Sequence, residues 1–460
     1  MRHERSPALE NLRARHKAPL GAVALVVSLA ACLDPIPSGT LTSGKGAIEG
    51  VVQRRCGTQP ALAGVRIALD GVVKAVSDEN GRFRIDGITA GKDHILAADL
   101  AGYVHVETVV RVTAGETARQ NLALETPGDA SQPVLLDVLF VLDTTRGAEA
   151  AQAALIDAFP AMTSRLPPTS LNLHLGFITA DMGAGPMALP GCTPGGDRGL
   201  LVAQPLGTTC KRASLLPYTT SRYLAIVRDA SGAESANFTG TLEEAFACYA
   251  PLGGAGCEFS MPLAALQRAL DPGTVDNGDF LRENATLLVV VLSQVDDCSA
   301  PPNTDLFDPF QTDLTSPLGP LSRYRCFEFG VLCGGAPPGR EPGPRSACEA
   351  GVPDPAHALI PVEHLTQVPL RSHAGRVVVG VIAGPTAPVE VVVDSEQFPR
   401  LVPSCTAEAL QAEPGFRLAA FASGLPQTNR SSLCSDYRQA LQSWTQQALD
   451  IAVAARSCEQ

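Results

Sequence analysis

Val134 to Leu142, VLLDVLFVL, is an almost continuous apolar run, and it constrains the fold more than any other stretch. A strand with one face in water alternates apolar and polar residues. One without that alternation must be covered on both faces, as in a parallel sheet flanked by helices. The pattern recurs: Leu171 to Thr179 (LNLHLGFIT), Ala285 to Ser293 (ATLLVVVLS) and Arg376 to Ala383 (RVVVGVIA) read as further strands. Between the first two, Ala148 to Arg165 carries small and apolar residues at helical spacing. Ser435 is placed to cap a last helix in which Tyr437, Leu441, Trp444, Ala448 and Ala452 share one face. Strands alternating with helices predict a doubly wound α/β domain over residues 134–460. Such domains bind ligands at the carboxyl ends of their strands, where Asp143 and Thr179-Ala180-Asp181 fall.

Residues 46–125 follow a different rule. GAIEGVV, GVRIALDG, GRFRIDGI, HILAADLAGY and ETVVRVTAGE are short alternating runs punctuated by Gly, Asp and Asn, which predicts a small antiparallel β-sandwich. Asp78-Glu79-Asn80-Gly81 is a turn signal. The combination of G-x-I-x-G-x-V, S-D-E-N-G-R-F-R-I-D-G-I and A-G-Y resembles the carboxypeptidase regulatory-like domain, a transthyretin-like sandwich. That resemblance implies a spacer or binding module and no peptidase. His94 and His105 stand singly and are expected as solvated or edge-strand residues. Thr126 to Pro133, rich in Pro, Gly and Ser, reads as the linker between the two domains.

The N-terminus carries Arg2, Arg5, Arg13, Arg15 and Lys17 ahead of an apolar stretch, Ala18 to Leu29, too short to span a bilayer. Leu29-Ala30-Ala31-Cys32 then resembles the lipobox of bacterial lipoproteins. It implies removal of residues 1–31, acylation of Cys32, a tether over 32–45 and, with Leu33 next, an outer-membrane address in the cell envelope. Without residues 1–31 the net charge falls from −12 to −15, which argues against nucleic acid as a partner.

Apart from Cys32 the cysteines are Cys56, Cys192, Cys210, Cys248, Cys257, Cys298, Cys326, Cys333, Cys348, Cys405, Cys434 and Cys458. None forms C-x-x-C, so after a secretory signal they read as disulfide partners. Short-range pairs such as Cys192 with Cys210, Cys248 with Cys257, and Cys326 with Cys333 are cheap to close, although spacing does not fix connectivity, and Cys56 either reaches across or leaves a free thiol. Residues 301–375, dense in Pro and Gly, form a cysteine-stapled insertion suited to carry specificity.

The order of elements after residue 134 is similar to a von Willebrand factor type A domain, and so is an Asp followed by hydroxyls at the end of the first strand. G176-F177-I178-T179-A180-D181-M182-G183, G256-C257-E258-F259 and D279-F280-L281-R282-E283-N284-A285 strengthen a likeness to the lipoprotein members of that group. The family motif D-x-S-x-S holds Mg²⁺ or Mn²⁺ with hard oxygen ligands. In D143-T144-T145-R146-G147 the resemblance carries Asp143 and Thr145 over as ligands, but Gly147 has no side chain to offer. In L292-S293-Q294-V295-D296-D297-C298-S299, Gln294 stands where the ligand Asp would be, and Asp296 is the substitute within reach. The site is therefore either a working cation site or a remnant of one.

No G-x-S-x-G, H-E-x-x-H or G-K-[ST] phosphate loop is present, so catalysis is not expected. The resemblance implies a membrane-anchored adhesion-type protein that meets a protein or peptide partner around Asp143, Thr145 and Asp181. The alternative is a metal-independent scaffold component of an envelope complex.

Overall fold

The computed structural model describes residues 44–54, 61–126, 132–205, 221–271, 277, 279–352, 359–373, 375–396, 398–427 and 429–455. The signal stretch, Cys32, Cys56, Cys210, Cys458 and the middle of the linker lie outside these residues.

The first domain is a two-sheet sandwich, as expected, but it is not wholly antiparallel. Strands β1 (Lys45–Arg54), β4 (Arg82–Thr89), β7 (Thr117–Arg119) and β8 (Leu122–Leu124) form one sheet, with β7 and β8 both running parallel to β1. Strands β2 (Arg66–Leu69), β3 (Val72–Val76), β5 (Asp93–Asp99) and β6 (Val106–Arg111) form the other, in the order β3-β2-β5-β6. Alternate residues such as Ile48, Val52, Ile67, Phe83, Ile85, Leu96 and Leu122 fill a core of their own between the sheets. The Asp78 turn is held by its own carboxylate, which accepts from the amides of Asn80 and Arg82 at 2.9 and 2.7 Å. His105 is exposed between Asp99 and Glu107, as expected. His94 is not: it is buried on an interior strand, its ring nitrogens 2.8 Å from Asp70 and from the Thr89 carbonyl.

The second domain is built on a seven-stranded sheet. Its strands are β9 (Val134–Leu142), β10 (Leu171–Thr179), β11 (Leu224–Arg228), β12 (Glu234–Ala236), β13 (Thr286–Leu292), β17 (Val377–Ala383) and β22 (Asn429–Ser432). They lie in the order β12-β11-β10-β9-β13-β17-β22. The run from β10 to β22 is parallel, and β11 and β12 close one edge antiparallel. Helices α1 (Glu149–Thr163), α2 (Leu242–Tyr249) and α7 (Arg438–Ala454) pack on one face. Helices α3 (Pro262–Leu270), α5 (Val362–Ser372) and α6 (Phe416–Ser423) cover the other. Because successive side chains point to opposite faces, Val138, Phe140 and Leu142 enter the first layer while Leu139 and Val141 enter the second. This is why the run looked uninterrupted in sequence.

On the first face Phe159 stacks on Phe246, with ring centroids 3.6 Å apart, and Phe140 meets Phe246 edge-on. The last helix buries Tyr437, Leu441, Trp444, Ala448 and Ala452, as the spacing required. It begins at Arg438, however, and the Ser435 hydroxyl donates to the Ser432 carbonyl instead of capping it. Gly380 on β17 makes room for this helix, since a Cβ there would lie 2.0 Å from the Trp444 ring.

The segment between β13 and β17 is not a loose appendage. Its short helix α4 (Tyr324–Glu328) and strands β14 (Val331–Cys333) and β16 (Cys348–Ala350) share small cores with the sheet domain. Strand β15 (Gly343–Arg345) pairs with β18 (Val389–Val393), which pairs with β19 (Pro399–Leu401), and β20 (Cys405–Ala407) with β21 (Leu410–Ala412) make a hairpin. Buried Arg325 donates to the carbonyls of Leu306, Asp308, Gln311, Gly319 and Pro320, which gathers the insertion around one guanidinium.

The disulfides correct the short-range pairing. The bonds are Cys192–Cys257, Cys298–Cys326, Cys333–Cys348 and Cys405–Cys434. Cys248 is also disulfide-bonded, but not to Cys257. Loop closure costs rise only slowly with length, so proximity in sequence was a weak guide against proximity across the sheet.

Candidate functional site

Asp143 follows β9 directly, and its neighbours across the sheet decide what surrounds it. Its Oδ1 accepts from the Thr145 amide at 2.8 Å and its Oδ2 from the Gln294 amide at 3.0 Å. The Ser293 hydroxyl lies 3.3 Å from Oδ2 and also donates to the Val295 carbonyl. The Gln152 side chain on α1 donates to the Asp143 carbonyl and to Gly253, and accepts from Gly253 in return. Asp143 is thus held from β9, β13 and α1 at once.

The Gln294 side chain occupies the heart of this arrangement. Its Nε2 donates to the Thr145 hydroxyl at 2.9 Å and to the Arg146 carbonyl at 2.8 Å. A carbonyl oxygen only accepts, so the amide nitrogen and not its oxygen faces the Asp143 loop. Gly147 sits at φ +92°, and a Cβ there would meet the Gln294 amide at 3.6 Å. The set does not fit Mg²⁺ or Mn²⁺: an amide N–H₂ stands among the oxygens that would have to ligate, and Gly147 offers no side chain. Among the described residues no group of three or more His, Cys, Asp or Glu side chains could hold a metal.

Asp296 does not join Asp143. Its two oxygens accept from the amides of Phe416, Arg417 and Leu418, at the start of α6, and from Asp297. Burial pushes its carboxyl up to about 6 against those donors. Asp297 is buried against the Arg417 guanidinium at 3.0 Å.

Asp181 holds a different corner, accepting from the amides of Gly183 and Cys257, beside the Cys192–Cys257 bond. Burial raises its carboxyl above the usual range. Asp143, Thr145 and Asp181 are 2%, 0% and 8% exposed, so none of the expected partner contacts reaches the surface. Side chains this well hydrogen-bonded hold the loops around them.

A crevice of about 610 Å³ lies at the carboxyl ends of the strands. Arg323, from the insertion, forms ion pairs with Glu258 and, at 2.8 Å, with Glu413. Burial works against its charge, but Glu413 and Glu258 outweigh it, and Asp143 adds to the pull. In turn, burial raises the Asp143 carboxyl, while the Thr145 and Gln294 donors and the Arg323 charge oppose the rise. Arg323 thus couples electrostatically to the buried Asp143 carboxyl from across the crevice. Arg323 was not singled out in sequence, because only the fold brings it beside residues so distant in the chain. Arg146 stands at the rim, 89% exposed. Strand β19 and the residues before it close the far wall with Phe398, Leu401 and Arg400.

Neither a family model nor a curated protein matches the chain. Some solved structures resemble part of it. A cohesin–X-dockerin complex from Acetivibrio cellulolyticus is 21% identical, with a TM-score of 0.15, over 17% of this chain and 56% of that one. The minor pilin of Streptococcus agalactiae is 22% identical, with the same TM-score, over 19% of this chain and 46% of that one. A putative carbohydrate binding protein from Pseudomonas aeruginosa is 17% identical, again at 0.15, over 18% of this chain and 91% of that one. The chain thus spans little more than half of the first of these. At that TM-score none of them bears on what this chain does.

Proposed function

We propose that this chain is a non-catalytic, lipid-anchored envelope protein in which a regulatory-like sandwich presents a von Willebrand factor A-type domain to a protein partner without a divalent cation. The observation that carries the reading is the Gln294 amide, seated between Asp143, Thr145 and Arg146 with the Arg323 charge close by. Together they place hydrogen-bond donors and a positive charge where that fold family places a cation, which supports a site that works without one. Strand order supports the family: the sheet runs outward from β9 in both directions and one edge turns antiparallel. The crevice lies beside the point where the order reverses, which is where open α/β sheets take their ligands. The anchor rests on the Leu29-Ala30-Ala31-Cys32 stretch alone.

The test is photo-crosslinking in cells from position 401 on the crevice wall, with position 109 on the sandwich as control, repeated with chelator. A protein adduct specific to position 401 that survives chelation supports the reading. An adduct lost with chelator would restore a metal-dependent adhesion site, and no adduct would favour the scaffold alternative.

A further inference from the structure

We infer that the crevice above Asp143 takes a basic side chain, a lysine or arginine on an extended segment of the partner polypeptide. This rests on the crevice being the partner site and adds the chemistry of what enters it. The lining holds the guanidiniums of Arg146, Arg323 and Arg400 and the carboxylates of Glu258, Asp394, Glu396 and Glu413. Most of this charge is already matched. Arg323 is shared between Glu258 and Glu413, and Arg400 lies 3.4 Å from Asp394. Arg146 points into solvent with Glu258 only at 4.0 Å. One negative charge is left over on the lining, with Asp143 beneath it. Glu396 is an exposed carboxylate of the lining.

The walls suit the rest of such a side chain. Phe259, Leu321, Phe398 and Leu401 are apolar, and a lysine or arginine can lay its methylene stem along them while its head meets carboxylate. The volume, about 610 Å³, is enough to take a few side chains of a peptide. The acidic chain as a whole, at −12, would draw a basic segment in and repel an acidic one. A free polyamine offers the cation and a methylene stem but no backbone or neighbouring side chains for these walls to cover, so a polypeptide is the fitting source.

The test uses the full oxidised chain and three otherwise identical apolar pentapeptides with lysine, norleucine or glutamate at the centre, together with spermidine alone. Binding is read by calorimetry and by NMR shifts at crevice amides, at low and at moderate salt. The lysine peptide should bind tightest, weaken with salt, and lose about five-fold in affinity with Glu396→Gln and more with Glu396→Lys. Glu396 is exposed, so these variants should keep the wild-type melting temperature. Equal or tighter binding of the norleucine or glutamate peptide at the same amides overturns the inference but leaves the crevice as a site. Spermidine matching the lysine peptide overturns the polypeptide as source. If no probe moves the crevice amides at millimolar concentration, both the inference and the partner site fail.

Discussion

Asp137 and Asp143 belong to the same run of chain, one inside β9 and one just past its end, and both are buried. They are stabilised in opposite ways. Asp137 faces Arg282, which gives its amide, Nε and a terminal nitrogen to the carboxylate at 2.6 to 2.9 Å and reaches Asn172 and the Leu136 carbonyl as well. Asp143 takes backbone amides and leaves its counter-charge to Arg323, which is shared with two glutamates at an open crevice. The first arrangement is closed and satisfied, a staple for the amino ends of the strands. The second is a network whose cation has several anions to choose among. In an α/β sheet that difference marks the end that holds the fold and the end free to meet a ligand.

The sharpest way to break the comparison is Arg282→Met, which strands a carboxylate inside the sheet. It should cost about 3–5 kcal/mol at neutral pH in a urea melt, and less near pH 5, where Asp137 can take up a proton. A loss no larger than that of an ordinary surface change would mean the staple is not one. Next is the pair Cys298→Ser with Cys326→Ser, which frees the insertion that carries Arg323. We expect a loss of about 3 kcal/mol, with the amides around Arg282 keeping their hydrogen-exchange protection and those around Gln294 losing it. Equal loss of protection at both ends would remove the distinction.

The pH dependence sharpens it further. Burial pushes Asp137 up to about 6 even with Arg282 against it. The folded state therefore binds this proton more tightly than the unfolded chain does. The stability it contributes is complete below the unfolded value of 3.8 and is lost as pH rises through about 6. The span corresponds to about 3 kcal/mol, and Asp143 moves in the same direction. Asp137→Asn should flatten the slope of stability between pH 4 and 6, and Asp143→Asn should act in the same direction; a slope unchanged by Asp137→Asn would be evidence against the assignment. Smallest is Gln294→Ala, expected to cost about 1 kcal/mol for its lost hydrogen bonds, with no Mg²⁺- or Mn²⁺-dependent rise in melting temperature before or after. A rise of several degrees in the wild-type chain would show that the amide yields to a cation.

Much of this was legible in the sequence where burial on both faces left a continuous signal. Strands β9 and β10 have the bounds expected of them, and β13 and β17 differ by a residue at their ends. Strand β22, NRSS, was not seen, because a short polar edge strand needs no apolar alternation. Asp143 at a strand mouth was readable for the same local reason. The role of Asp296 was not, since it caps a helix that begins at Phe416, and neither was Arg323 or the true disulfide partners. These depend on which loops the sheet brings together, and no local spacing records that. Ser435 misled for a related reason: a cap signal competes with other acceptors nearby, and the Ser432 carbonyl won.

The contact between Gly380 and Trp444 has a practical consequence. Trp444 is the chain's one tryptophan, seated between the last helix and the sheet. Its emission therefore reports on the α/β domain alone, while the sandwich is silent in that channel. Unfolding followed by fluorescence and by far-ultraviolet dichroism on one sample will separate the two domains without any label.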